Sequence, residues 1–330
     1  MGVLLVKTTL QINETEPLGD LVIPYPEILL TDVFHGKANS TALKQESEIA
    51  PFKPRTDITI NAVARSPEAK ELESWPVRLE VQGRLSYGFH VFGERLWEPG
   101  RTLMGRKWKL SSVARMTELP LTYAHAFGGT VKTGEDEETS HAYNPVGRGL
   151  LNDYLLSLGE AVPAPQIGLY GEFASLAPDN VMTVCGFGPV TKSWLPRLAL
   201  AGTFDDAWRH ERHPRMPTDY DYAYWNAAPV QLQADPYLQG DETITLTGMR
   251  HDPKPYTFKL PNVALASRIT RSNIADVEEK LLNLDTVHCD VSDADPNKHH
   301  VALVWRLTLP EPDAIENIDI FARRLKGDGA

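Results

Sequence analysis

Alternation of apolar and polar residues is the clearest pattern in the chain, and it predicts strands rather than helices. Residues 77–82 read VRLEVQ, and residues 85–91 alternate again after Gly83. A period of two places the apolar side chains of a strand on one face. These two segments therefore predict a half-buried hairpin that turns near Gly83 and Arg84.

The same pattern predicts a second hairpin over residues 243–247 and 256–260. Residues 250–255 (RHDPKP) lie between them and supply turn-forming Asp and Pro. Other segments rich in apolar and β-branched residues predict further strands. These segments are 3–12, 57–64, 180–184, 197–203 and 301–309.

Helical signals are few. Residues 148–158 (RGLLNDYLLSL) predict a short amphipathic helix that ends at Gly159. Ser66 and Pro67 predict a capped helix of one or two turns. Residues 273–284 fit either a helix or a strand, and we favour a strand in their C-terminal half.

These elements predict a mainly β, sandwich-like fold with many short antiparallel strands and a few short helices. The 23 Gly and 25 Pro residues favour short elements. A chain of 330 residues can form one compact domain over 1–330, or two lobes at about 1–130 and 180–310 joined by 131–179. Glu135–Glu138 predict an exposed loop tip, and residues 292–300 predict a second polar loop in which His299 and His300 are solvated.

Charge and composition narrow the functional classes. The chain has 33 Lys and Arg against 44 Asp and Glu, a net charge of −11, which disfavours nucleic-acid binding. No apolar run approaches the roughly 18 residues of a membrane span, and the first residues do not form a secretory signal, so we expect a cytoplasmic protein without membrane insertion. The two cysteines lie far apart in sequence, and Cys185 stands in an apolar context that predicts burial.

Catalytic motifs are missing from the sequence. There is no G-x-S-x-G elbow, and the G-x-G pieces do not continue into a nucleotide-binding fingerprint, so the motifs supply no anchor for a hydrolase and predict no cofactor. His210 and His213, with Asp219 nearby, form the one weak metal-site candidate and would suit a metal-dependent hydrolase. Pro214 and Pro217 weaken this alternative because they favour a loop in which the two imidazoles need not converge.

Aromatic residues are dense between residues 187 and 225. In residues 219–225 (DYDYAYW) tyrosine recurs at every second position, so an extended conformation would project three phenol rings from one face. Tyr and Trp are enriched at protein interfaces, although core packing explains such a pattern equally well. The predicted partner-binding residues are Trp194, Trp208, Tyr220, Tyr222, Tyr224 and Trp225.

A succession of short strings carries a family resemblance. In chain order they are PFKPRTDI, FGERLWEPG, LPLTYAHAFGGT, NPVGRG, PAPQIG, GFGPVTKSWLPRLALAGTFDDAW, MPTDYDYAYWNAAPVQLQ, LQGDETITLTGM, YTFKLP, LDTVHCDV and VALVWR. Over roughly residues 20–310 the chain resembles the bacterial family called domain of unknown function 2169, which accompanies type VI secretion clusters.

The resemblance implies a cytosolic adaptor or chaperone rather than an enzyme. Its expected partners are a secreted toxin effector and the spike, formed by the valine-glycine-repeat protein with PAAR or Rhs partners. The family supplies no established catalytic residues to carry over. A structural component that is itself exported with the spike is a third alternative.

Two expectations concern the quoted strings themselves. The glycines of AFGG (126–129) and NPVGRG (144–149) should serve backbone geometry, because Gly adopts positive φ and permits close backbone approach. Four charged residues stand in apolar surroundings and should form buried ion pairs that fix register. They are Asp57, Arg95, Asp241 and Glu242.

Overall fold

A computed structural model describes residues 2–14, 17–23, 27–103, 105–272 and 274–324. Its elements confirm the prediction of a mainly β fold with a few short helices. The strands are β1 (Gly2–Gln11), β2 (Leu21–Ile23), β3 (Val33–Phe34), β4 (Leu43–Gln45), β5 (Thr56–Arg65), β6 (Ser74–Val81), β7 (Leu85–Phe92), β8 (Leu96–Thr102), β9 (Gly105–Leu110), β10 (Glu118–Pro120), β11 (Phe127–Gly128), β12 (Thr130–Lys132), β13 (Glu138–Ser140), β14 (Arg148–Gly149), β15 (Val162–Pro163), β16 (Ile167–Gly168), β17 (Gln233–Ala234), β18 (Thr243–Thr247), β19 (Tyr256–Lys259), β20 (Val263–Arg271), β21 (Ile274–Leu281), β22 (Asn283–Val291), β23 (His300–Leu309) and β24 (Ile315–Arg324). The α-helices are α1 (Asp153–Leu158), α2 (Tyr170–Ala174), α3 (Leu195–Leu198) and α4 (Asp206–Glu211). Single 3₁₀ turns cover Pro67–Ala69, Tyr123–His125, Tyr222–Trp225, Val230–Leu232, Pro296–Lys298 and Pro312–Ala314.

The largest sheet has the strand order β10-β5-β22-β23-β1-β2, and β17 also pairs with β5. Pairing is antiparallel throughout, except that β22 runs parallel to β5. Almost every residue of β5 is buried, as expected of a strand covered on both faces. The strands predicted at 3–12, 57–64 and 301–309 are all in this sheet.

The second sheet has the order β16-β7-β6-β18-β19 and contains both predicted hairpins. In β6 the buried residues alternate with exposed ones from Trp75 to Val81, which is the period that the sequence predicted. Gly83 has φ 71°, and its lack of a Cβ allows the tight turn between β6 and β7.

Both sheets contribute to one hydrophobic core. Ile58 and Ile60 of the first sheet lie in the same buried cluster as Leu79 and Leu246 of the second. Strands from residues 1–130 pair with strands from residues 180–310 in each of the two sheets, through β5 with β22 and β6 with β18. Neither range therefore forms a sheet of its own in these layers.

Two predicted strands are wrong, and the predicted capped helix at Ser66 and Pro67 is confirmed as a single turn but not in its cap. Residues 180–184 form no strand pair. Residues 197–203 contain the end of α3 and a turn instead of a strand. The expected Ser66 cap is absent, because its side chain makes no capping hydrogen bond to the 3₁₀ turn at Pro67–Ala69. In each case the local pattern was compatible with the prediction, and tertiary contacts decided otherwise.

Two helix predictions have different outcomes. The helix expected at 148–158 is shorter: α1 begins after Asn152, whose Oδ1 accepts from the Leu155 N–H at 2.8 Å. It ends at Gly159 with φ 78°, as predicted. The helical alternative for 273–284 is wrong, because β21 and β22 occupy this range.

The two polar loops also differ from expectation in part. The acidic residues Glu135–Glu138 are largely exposed, as predicted, at the tip of the small β12–β13 hairpin. His299 is buried rather than solvated, because its ring meets the Tyr256 hydroxyl at 3.3 Å and the Asp293 carbonyl at 2.9 Å.

The glycine strings have the predicted backbone role. Phe127 and Gly128 pair in parallel with Arg148 and Gly149, so the AFGG and NPVGRG strings lie side by side. Gly128 has φ 141°, and a Cβ there would lie 2.2 Å from the Asn144 carbonyl oxygen. The buried Asn144 side chain donates to the Tyr123 and Phe127 carbonyls, both at 2.9 Å, and thereby holds the two strings together.

Candidate functional site

The six aromatic residues predicted to bind a partner do not form one exposed face. Trp194 is buried and packs edge-on against Tyr123, with ring centroids 5.3 Å apart, so it belongs to the core. Trp208 belongs to a separate group around α4, where its Nε1 donates to the Arg215 carbonyl at 2.8 Å. It packs against Phe204 and His213 in the same group.

The four remaining aromatics cluster in and just before a 3₁₀ turn. Residues 222–225 are not extended, because the Asp221 carboxylate accepts from the Ala223 N–H at 2.8 Å and caps the turn. This contradicts the predicted row of phenol rings. Tyr220, Tyr222, Tyr224 and Trp225 instead pack on one another, and Tyr222 is the most exposed of them.

Two of the three candidate metal ligands, Asp219 and His213, have other partners. Both oxygens of Asp219 accept from Thr203, one from its N–H at 3.0 Å and the other from its hydroxyl at 2.7 Å. These bonds lower the pKa of the Asp219 carboxyl. His210 lies in α4, while His213 follows the end of that helix and packs on Trp208. Among the residues that the structure describes, no group of three or more His, Cys, Asp or Glu side chains is placed to hold a metal ion.

A groove of about 710 Å³ lies beside the aromatic turn. Most of its lining is apolar, and two of its residues are strongly exposed: Val181 at 81% and Val230 at 65%. Tyr123 and Tyr143 line it as well, whereas none of the six predicted aromatics does. Apolar grooves of this size are typical of ligand and peptide sites. We call this feature the client groove.

Residues 181–184 line one side of the client groove. They have the sequence pattern of a strand but pair with no strand among the described residues. Val181 and Thr183 are exposed, whereas Met182 is buried with Phe92 and Phe173. The Thr183 N–H and hydroxyl are held by the Glu172 carboxylate. Within the described part of the chain, the N–H groups of Val181, Met182 and Val184 have no hydrogen-bond partner. The segment therefore presents backbone donors that an added strand could use.

A second lining segment is held by a buried carboxylate. Asp57 accepts from the Asn226 side chain at 2.9 Å and from the N–H groups of Ala227 and Ala228 at 2.8 and 3.2 Å. Its other partner is Lys53, at 2.9 Å. Burial is the largest single cause and would lower the pKa of Lys53, but the combined attraction of Asp57, Asp285 and Glu46 outweighs it and raises the pKa above its ordinary value. Asp57 thus joins the PFKPRTDI string to the WNAAP part of MPTDYDYAYWNAAPVQLQ.

Arg197 fixes a third side of the client groove. It is 3% exposed, and its Nη1 donates to the Glu46 carboxylate at 2.6 Å and to the Val190 carbonyl at 2.7 Å. Its Nε and Nη2 donate to the Tyr224 carbonyl. One guanidinium thus ties together the three segments that contain Glu46, Val190 and Tyr224.

The other charged residues singled out in the sequence have mixed outcomes. Glu242 is buried and accepts from the N–H groups of Gln239 and Gly240, so it stabilises a turn. Asp241 is exposed, and Arg95 is only half-buried and donates to the Ser111 carbonyl. Of the four residues predicted to form buried ion pairs, Asp57 gives the clearest case, with Lys53.

Cys185 lies directly after the unpaired segment and is fully buried, as predicted. Burial raises the pKa of its thiol to about 11, so the thiol stays protonated near neutral pH and is a poor nucleophile. Tyr123, which lines the client groove, also has a pKa raised by burial. Both groups contribute apolar surface rather than acid–base chemistry.

Sequence analysis missed the client groove because its lining comes from distant parts of the chain. Arg55, Tyr143, Val181 and Val230 are far apart in sequence and meet only in the folded protein. One signal was present: residues 180–184 have the pattern of a strand but lie in the groove wall without a partner.

Comparisons with known proteins give a family but no characterised relative. No helix in the described ranges is long and apolar enough to cross a membrane. No curated protein and no solved structure matches the chain. A family model described as "Uncharacterized protein conserved in bacteria (DUF2169)" matches residues 1–306. The chain therefore belongs to this bacterial family, as the ordered strings of the sequence predicted.

Proposed function

We propose that this protein is a non-catalytic adaptor of bacterial type VI secretion that acts in the cytoplasm. It holds an extended apolar segment of a secreted toxin effector in the client groove. It then helps load the toxin onto the spike, formed by the valine-glycine-repeat protein and its PAAR or Rhs partner. The observation that carries the proposal is a preformed apolar groove with exposed Val181 and Val230 and a wall of unpaired backbone.

The chemistry of the client groove suits a peptide better than a reaction. Burial of each exposed valine by a partner contributes about 1.5 kcal/mol or more to the free energy of binding. The unpaired N–H groups of Val181, Met182 and Val184 can pair with the carbonyls of an added strand, the mode called β-augmentation. Rigid walls limit the ordering cost of binding. The strings that carry the family resemblance supply Arg197, Asn226 and Val230 to this groove.

The proposal can be tested with the toxin encoded next to this gene. The two proteins should co-purify after co-expression, and the adaptor should increase the soluble yield of the toxin. Val181→Asp and Val230→Asp should weaken binding about tenfold or more, because each places a carboxylate in the apolar contact. Leu30→Asp is the matched control: Leu30 is 70% exposed and does not line the groove.

Three results would contradict parts of the proposal. Unchanged binding by folded groove variants would remove the client groove as the site. Failure to bind any neighbouring toxin would remove the adaptor role. Val181→Pro deletes a backbone donor that has no internal partner, so normal binding by this variant would exclude strand addition at that position.

A further inference from the structure

A small sheet near the end of the chain has an unused edge. Its strand order is β21-β20-β24, and β24 pairs with β20 along its whole length. Within the described ranges, the opposite edge of β24 has no partner strand. Ten residues make an edge of about 33 Å, and a free edge of this length is a template for pairing with another chain.

The charges along β24 are self-complementary. Asp319 and Arg323 are both exposed and point to the same face, with Phe321 between them. A second copy running parallel and in register would bring like charges together. A second copy running antiparallel places Asp319 opposite the partner strand's arginine when the two-fold axis passes through Phe321. The order of Asp319 and Arg323 along β24 therefore favours antiparallel pairing over parallel pairing.

We propose that two copies of this chain pair antiparallel along β24, centred on Phe321. The two three-stranded sheets then form one continuous six-stranded sheet. The contact is isologous, so it closes as a dimer and does not propagate into a filament. Ile320, which is 44% exposed, comes to lie beside Ala322 of the second copy and loses contact with water.

The side chains on this face are already arranged for the contact. The Arg323 guanidinium lies 5.1 Å from the Phe321 ring centroid and also pairs with Glu279 of β21. The Arg268 guanidinium lies 5.6 Å from the centroid of the same ring. A guanidinium has five N–H donors, so Arg323 can bind Glu279 and a second carboxylate together.

This dimer is independent of the proposed adaptor function. The family match ends at residue 306, and β24 begins at Ile315. The client groove contains no residue of β20, β21 or β24 among those described. Loss of the dimer and loss of toxin binding are therefore separate results.

Size-exclusion chromatography with light scattering tests the proposal on the full chain. The mass of one copy is 36.8 kDa, and we expect twice that value at about 100 µM protein. Asp319→Arg and Arg323→Asp should each weaken the dimer about tenfold, because each variant places like charges opposite one another twice. Glu160→Arg, at an exposed position outside this sheet, should leave the dimer unchanged.

Mixing the two charge variants separates a lost contact from a misfolded strand. In a mixed pair, positions 319 and 323 of β24 are both positive in Asp319→Arg and both negative in Arg323→Asp. Opposite charges then face each other at both positions, so the dimer should return. A monomeric wild-type protein, a dimer that survives both single substitutions, or a mixture that stays monomeric would each overturn the proposal.

Cross-linking tests the register. Phe321→Cys should form a disulfide between copies under mild oxidation, because paired Cα atoms across antiparallel strands lie within disulfide range. The two natural cysteines are fully buried and should not contribute. Glu316→Cys is the control that should not cross-link. A dimer in which Phe321→Cys fails to cross-link would contradict pairing centred on this residue.

Discussion

At the residue scale, buried polar groups hold the irregular parts of the fold in place. Arg306 pairs with Asp285 and donates to the carbonyls of Glu48 and Ala50, while Lys7 pairs with Glu48 at 2.7 Å. Segments without regular structure must satisfy their backbone groups in this way when they are buried. These charges therefore stabilise the irregular segment around Glu48 and Ala50.

His288 shows how burial makes the stability of the folded protein depend on pH. The residue is 4% exposed, and its ring lies 2.9 Å from the Thr59 hydroxyl. Burial is the main cause that lowers its pKa to about 4; His300 and Lys44 act in the same direction, and Asp290 opposes them. In the unfolded chain the pKa is about 6.5. As pH falls from 6.5 toward 4, only the unfolded state takes up the proton, so stability is lost over this window.

We expect His288→Asn to reduce this acid sensitivity, because the amide does not titrate and can keep the bond to Thr59. For the wild type, His288 accounts for about 2 kcal/mol of stability lost between pH 7 and pH 5. Urea unfolding at the two pH values measures it. His210→Asn, at an exposed position, should behave like the wild type. An equal loss in wild type and His288→Asn would show that this ring is not responsible.

At the element scale, the glycine strings show how a short motif can dictate backbone geometry. We expect Gly128→Ala to destabilise the protein by at least about 2 kcal/mol, because its Cβ would meet the Asn144 carbonyl oxygen and its φ of 141° is strained for other residues. Gly19→Ala is the matched control, since a Cβ there has no atom within 4 Å; we expect a change within about 0.5 kcal/mol. Thermal unfolding compares the two. Equal effects would show that the strings tolerate side chains.

Elements with a local cause were predictable from the sequence, and elements with a distant cause were not. The β6–β7 hairpin followed from alternation and Gly83, both of which are local. Residues 180–184 have a strand pattern, but pairing depends on a partner that the sequence does not place. The prediction of an extended conformation for residues 219–225 was wrong for a different reason. The Asp221 side chain caps a 3₁₀ turn, and this turn competes with the extended form.

At the scale of the whole molecule, strands from distant parts of the chain share sheets. The first strand, β1, pairs along ten residues with β23, and β5 lies between β10 and β22. The β1–β23 pairing joins residues about 300 positions apart, a non-local contact of the kind that slows folding. The same mixing builds the client groove from Arg55, Val181 and Val230.

This arrangement predicts that a cut in the acidic loop leaves the molecule intact. A protease site inserted between Glu135 and Asp136 lies at an exposed hairpin tip. After cleavage, the fragments 1–135 and 136–330 should elute together in native buffer, because β5 pairs with β22 and β6 pairs with β18 across the cut. They should separate in 6 M urea, where the sheets are lost. Uncleaved protein carrying the same insertion controls for damage by the insertion itself. Fragments that separate in native buffer would mean that the chain folds as two lobes; co-elution supports one domain, because shared sheets cannot part without unfolding.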